Sequence, residues 1–189
     1  MEPSDVTLLI ALGTAGRAPA SFADIVAAAK EVAPADWQPT VDTLRATVER
    51  AIMDGLIAPR SHDADRQTVL STTPSGRLRI VALLRKPIPR ASGGFVRTCM
   101  SAKLWSLDHL PPPERGDHVR GLRRLYRDAI DELDRLRRLP AALAGSAAAH
   151  LGGDIARLEG DLAWLDAMAA WPSRGLAAEQ ELRTGGRAA

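Results

Sequence analysis

The sequence holds one cysteine, Cys99, in 189 residues, so no disulfide can close within the chain and no cysteine-based zinc site can form in it. A small, buried, apolar role is the expectation for that thiol. The four histidines, His62, His109, His118 and His150, show neither H-x-H nor H-x-x-x-H spacing, and no metal or other cofactor is expected. No apolar run approaches the roughly 18 residues that a membrane-spanning helix needs. The start, MEPSDVTLLIALG, sets two acids ahead of a short apolar stretch, unlike the basic start of a secretory signal. A cytoplasmic protein is therefore expected. Also missing are G-x-S-x-G, a phosphate loop, a dinucleotide fingerprint and a zinc signature, which leaves no motif to support an enzyme.

What is present is the composition of a globular chain, 46% apolar and 25% charged. The net charge of +2 is unevenly spread. Residues 1–86 hold ten basic and ten acidic side chains, residues 87–140 eleven and seven, and residues 141–189 four and six. A nucleic-acid binder usually carries a basic footprint. The first 86 residues do not supply one.

The order of elements is more telling. DVTLLIAL, residues 5–12, predicts a buried helix after a Ser4/Asp5 cap, stopped by Gly13 and Gly16. Ser21 predicts the N-cap of a second helix, with Asp24 three residues on and Phe22, Ile25, Val26 and Ala29 on its apolar face. A third helix is predicted from about Thr40 to Asp54, with Val41, Leu44, Val48, Ala51 and Ile52 as its stripe and Gly55 as its stop. Residues 56–58 and 68–72 read as short strands around a polar loop, and Pro74-Ser75-Gly76 opens a fourth helix. Helix, helix, helix, strand, strand, helix is the layout of a winged helix. The expected fold is mainly α with a small β-hairpin: an N-terminal winged helix-turn-helix followed by a C-terminal helical dimerisation segment.

The junction Asp54-Gly55-Leu56-Ile57, after apolar Leu44, Val48 and Ala51, resembles the end of the recognition helix in PadR-type regulators. Thr72 or Thr73 and the pair Gly76-Arg77 match the family's Thr and Gly-basic positions past the wing. More selective is KLWSLDHL, residues 103–110, followed by Pro111-Pro112-Pro113-Glu114-Arg115, similar to the segment that opens the family's C-terminal helices. Leu158-Glu159-Gly160-Asp161-Leu162-Ala163-Trp164-Leu165 looks like its closing helix motif. The family's early tyrosine in the recognition helix is absent. The resemblance implies a DNA-binding domain over residues 1–88 and a dimerisation and effector domain over 95–171; Gly175, Gly185 and Gly186 predict a flexible tail over 172–189.

Two further stripes support a helical hairpin. Val119, Leu122, Leu125, Ala129, Leu133, Leu136 and Leu139 recur at steps of three and four, then Leu143, Ala147, Leu151, Ile155, Leu158, Leu162 and Leu165. A two-helix hairpin buries too little to stand alone, so a homodimer is expected. Candidate contacts to double-stranded DNA are Gln38, Thr40, Asp42, Thr43, Arg45, Thr47 and Arg50 around the third helix, and Arg60, His62 and Arg66 in the wing. The Ser21 backbone N–H and Lys30 are candidate phosphate contacts. Trp105, Trp164 and Trp171 are candidate positions for a small aromatic effector, which the resemblance implies. The expected function is a dimeric PadR-like repressor on a pseudo-palindromic operator. The alternative is a winged-helix adaptor or antirepressor that binds a protein instead of DNA.

Overall fold

Residues 1–33, 37–62, 68–88, 94–138 and 146–169 are described by the structure, a computed structural model. Among them run α1 (Pro3–Arg17), α2 (Phe22–Val32), α3 (Val41–Met53), β1 (Ile57–His62), β2 (Thr68–Thr72), α4 (Pro74–Arg85), α5 (Gly94–Trp105), a 3₁₀ turn (Leu107–His109), α6 (Pro112–Arg137) and α7 (Ser146–Ala169). The chain divides into two compact units, Met1–Arg115 and Gly116–Ala189.

The first unit is built around α1. Val6, Leu9, Ile10, Ala11 and Leu12 have no exposed surface, and a helix that is apolar all round must be central. Helices α2, α3, α4 and α5 and strand β2 all pack on it. Gly13 and Gly16 do not stop this helix; it runs on to Arg17. Their role is close approach instead. A β-carbon on Gly13 would collide with the Ser106 hydroxyl, and one on Gly16 with the His109 ring. The 3₁₀ turn and the end of α5 therefore lie directly on the bare back of α1.

Helix α2 begins as expected. Ser21 Oγ accepts from the Asp24 N–H at 3.2 Å, and Asp24 returns the bond by accepting the Ser21 N–H at 2.8 Å. Helix α3 ends in a Schellman motif. Gly55, at φ +68°, turns the chain so that its N–H reaches the Ile52 carbonyl at 3.0 Å and the Leu56 N–H reaches that of Ala51 at 2.8 Å. Ile57 then enters β1 fully buried.

The hairpin is longer than the sequence suggests. Strand β1 extends through the polar residues to His62 and pairs antiparallel with β2, with an irregularity between Pro59 and Ser61. Pro59 is tolerated because β1 is an edge; the other side of β2 is taken by Ala20, which exchanges both backbone hydrogen bonds with Leu70. Beyond β2, Thr72 donates to the Leu12 carbonyl at 2.9 Å in the core, and Thr73 caps α4 by accepting the Gly76 N–H at 3.1 Å.

In the second unit, Val119, Leu122 and Tyr126 are the buried rungs of α6, and Ile155 and Leu165 those of α7. Tyr126 was not in the leucine stripe, yet it sits at the right step and donates its hydroxyl to Asp161 at 3.3 Å. An ion pair between Arg123 and Asp166 joins the same two helices. Leu136 and Trp164 are exposed apolar side chains. Leu139 and Leu143 lie outside the described residues, as do the side chain of Ala147 and the segment 172–189.

Candidate nucleic-acid interface

Helix α3 presents two faces. Leu44, Val48 and Ala51 are buried, while Asp42, Thr43, Arg45, Ala46, Glu49 and Arg50 are exposed. Val41 joins the exposed side, at 46% exposure, because it occupies the first turn and not the core stripe. Thr40 is the N-cap, accepting the Thr43 N–H at 3.1 Å, and the two hydroxyls bond each other at 2.8 Å. Thr47 donates back to the Thr43 carbonyl at 2.7 Å. The three threonines thus spend much of their hydrogen-bonding capacity within the helix.

Arg45 is held differently. Its guanidinium lies over the Phe22 ring, 4.6 Å from the centroid. Stacking occupies the face of the guanidinium and leaves its N–H edge outward. Phe22, expected on the apolar face of α2, is half-buried, with the guanidinium covering its ring. Arg50 pairs with Asp54 at 3.4 Å across one turn, with both side chains more than half exposed, so the pair contributes little and yields easily to another anion. Gln38 is exposed ahead of the cap.

In the wing, Arg60 is exposed on β1. His62 ends that strand, and Arg66 lies outside the described residues. Lys30 is exposed on α2. Ser21 is not a phosphate contact: it is 7% exposed and its N–H is taken by Asp24. The two described tryptophans of the effector set belong to different units. Trp105 is half-buried in the first unit beneath Arg17, whose guanidinium lies 4.4 Å from its ring centroid. Trp164 is exposed in the second unit, and Trp171 lies outside the described residues.

Sequence reasoning missed Arg17 and Arg77, which with Arg60 line a cleft beside the hairpin. It also missed Lys103, quoted above only as a letter of KLWSLDHL. Lys103 is 3% exposed and donates to the carbonyls of Leu84 and Lys86, each at 2.6 Å, at the C-terminal end of α4. A lysine one residue before the Leu-Trp pair gives no local sign of this, because both acceptors lie far upstream.

A central helix, a capped third helix with an outward polar face, and a two-stranded wing define a winged helix-turn-helix, a fold class used to read DNA. A family model described as "Putative AphA-like transcriptional regulator" matches residues 1–169. The chain belongs to that AphA-like family: it is a transcriptional regulator and not an enzyme. Among solved structures, PadR of Bacillus subtilis in complex with operator DNA is 17% identical, with a TM-score of 0.43, covering 89% of this chain and 99% of that one. The same PadR in complex with p-coumaric acid is 18% identical, with a TM-score of 0.42 and coverages of 90% and 97%. The protein smu.1604c of Streptococcus mutans is 15% identical, with a TM-score of 0.41 and coverages of 90% and 99%. The transcriptional regulator read from the sequence agrees with the family match. No curated protein matches the chain significantly. Among the described residues no helix is long and apolar enough to cross a membrane.

Proposed function

We propose that this regulator is a cytoplasmic repressor that binds double-stranded DNA as a homodimer, at a pseudo-palindromic operator, and is released by a small aromatic ligand. The winged helix, residues 1–88, carries the DNA contacts, and residues 95–171 carry dimerisation and effector response. The observation that bears most weight is the outward face of α3, where exposed Arg45 lies over the Phe22 ring and has no carboxylate partner among the described residues. A guanidinium so held suits bidentate contact with a guanine. Gln38, Thr40, Thr43, Thr47 and Arg50 flank it, and Arg60, His62 and Arg66 serve the backbone from the wing.

Gel-shift titration with the protein's own promoter region, repeated across salt concentrations, tests this. A saturable complex with two protomers per site is expected, with a shallow salt slope because residues 1–86 carry no net charge. Arg45→Ala should weaken it by about 1–3 kcal/mol, roughly tenfold to a hundredfold. Absence of any saturable complex would remove the DNA-binding role.

That neutral charge, with Arg50 already paired to Asp54, favours a second reading. In it, α3 and the wing face a protein partner, as an adaptor or antirepressor. The two readings part on one result: an adaptor gives no DNA complex at any salt concentration.

A further inference from the structure

The candidate DNA contacts begin before α3 does, on a stretch with no buried residue. Gln38, Thr40, Val41, Asp42 and Thr43 are exposed and Pro39 is half-buried. Leu44, 1% exposed, fixes one end of this stretch in the core. The other end is fixed by α5. The Trp37 ring meets that of Phe95 edge-on, with centroids 5.0 Å apart and planes at 66°, an arrangement that aromatic pairs favour. The Thr98 hydroxyl, fully buried, donates between two carbonyls: that of Trp37 at 3.1 Å and that of Gly94, one turn back, at 3.0 Å. Cys99 and Met100 beside it are buried too, and α5 packs on both α1 and α2.

We infer that Trp37 is a positioning residue, through which α5 sets where the DNA-reading end of α3 lies; this rests on the operator-binding role proposed above. The link from Trp37 to the helix is short and stiff. Pro39 has a fixed φ and confines Gln38 before it to extended backbone. Thr40 is extended as well, at φ −68° and ψ 159°, and closes the first turn by accepting the Thr43 N–H. A displacement of Trp37 is therefore passed on to Thr40, since nothing between them can absorb it. Trp37 need not touch DNA itself. Gln38, Thr40 and Thr43 do so in the proposed complex, and each takes its place from the anchor. Because Trp37 is only half-buried, losing its ring leaves the core around α1 in place.

Amide hydrogen exchange on the full-length protein tests the anchor without DNA. In Trp37→Leu, exchange over residues 40–48 should speed up at least about fivefold, while residues 22–32 and 74–85 exchange as before. Trp37→Phe, which keeps an aromatic edge for Phe95, should restore most of the protection. Thr98→Val, which removes the hydroxyl and keeps the shape, should give the same local pattern more weakly. Gel shift on the promoter then reads the consequence. Trp37→Leu should bind about tenfold more weakly, with its weak affinity for unrelated DNA unchanged, because phosphate contacts carry no sequence information. Cys99→Ala, which takes packing from the same helix but not from the anchor, should bind as the unaltered protein does. Unchanged exchange over residues 40–48, or an equal rise in all three segments, overturns the proposal. So does full promoter affinity in Trp37→Leu, or an equal loss in Cys99→Ala. If the unaltered protein forms no promoter complex, the operator-binding role fails, and the exchange pattern still decides whether α5 anchors α3.

Discussion

Lys103 carries its amine into a place with almost no water, 3% exposed. Burial pushes it down from its ordinary 10.5 to about 8. One turn earlier in α5, Cys99 is fully buried, and burial pushes its thiol up from 9.0 to about 11. The two have opposite consequences for stability against pH. Between 8 and 10.5 the unfolded chain binds the lysine proton more readily than the folded one, so the Lys103 contribution rises with pH over that window. Between 9 and 11 the folded chain holds the thiol proton that the unfolded chain has lost, so the Cys99 contribution falls there. Stability followed by urea unfolding from pH 7 to 11 should show both limbs. Lys103→Met should abolish the rise, on top of a constant loss from the two uncapped carbonyls, and Cys99→Ala should abolish the fall. Unchanged pH profiles in both variants would contradict the burial of this pair.

At the scale of elements, the two glycines that flank the hairpin differ in what they require. Gly76 opens α4 against the wing, and a β-carbon there would drive into the Leu56 backbone carbonyl. That carbonyl cannot retreat, since it accepts the Thr73 N–H at 3.0 Å. Gly55 has open space around its missing side chain but a left-handed backbone. Gly76→Ala should therefore cost about 2–3 kcal/mol, and Gly55→Ala about 1 kcal/mol. Urea midpoints would show the order, and a reversed order would mean that the Leu56–Thr73 contact is soft.

The same elements show what a sequence can disclose. The Asp54-Gly55-Leu56-Ile57 junction was legible because a Schellman motif is made by neighbours, and Ser21 because a capping box spans three residues. Gly13 and Gly16 were misread as stops because a helix glycine has two causes, an end or a close approach, and only Ser106 and His109, some ninety residues on, decide between them. Residues 59–62 read as loop because Pro59 and polar residues mark turns, while an edge strand tolerates both. Periodicity set Leu44, Val48 and Ala51 on the buried side of α3 and Arg45 and Arg50 on the exposed side. The Arg17–Arg60–Arg77 cleft was not visible at all, because each arginine comes from a different element.

At the scale of the molecule, α5 completes the core of the first unit. Val96, Cys99, Met100 and Ala102 are buried, α5 packs on α1 and α2, and Lys103 closes the end of α4. A fragment ending at residue 88 should expose that side of α1 and lose cooperative thermal unfolding. A fragment ending at Arg115 should keep it. Calorimetry on the two fragments would decide, and equal cooperativity would show that α5 adds nothing to the core.

The seat that Gly13 and Gly16 provide for Ser106 and His109 also sets the terms on which relatives can exchange parts. A chimaera that takes its DNA-reading helices from one regulator and KLWSLDHL from another must match bare glycine to hydroxyl and imidazole, or the graft will not close. The heritable unit of recognition is then not the helix-turn-helix by itself. It is that motif together with α1 and the later segment pressed against the back of α1, and the two should change in step.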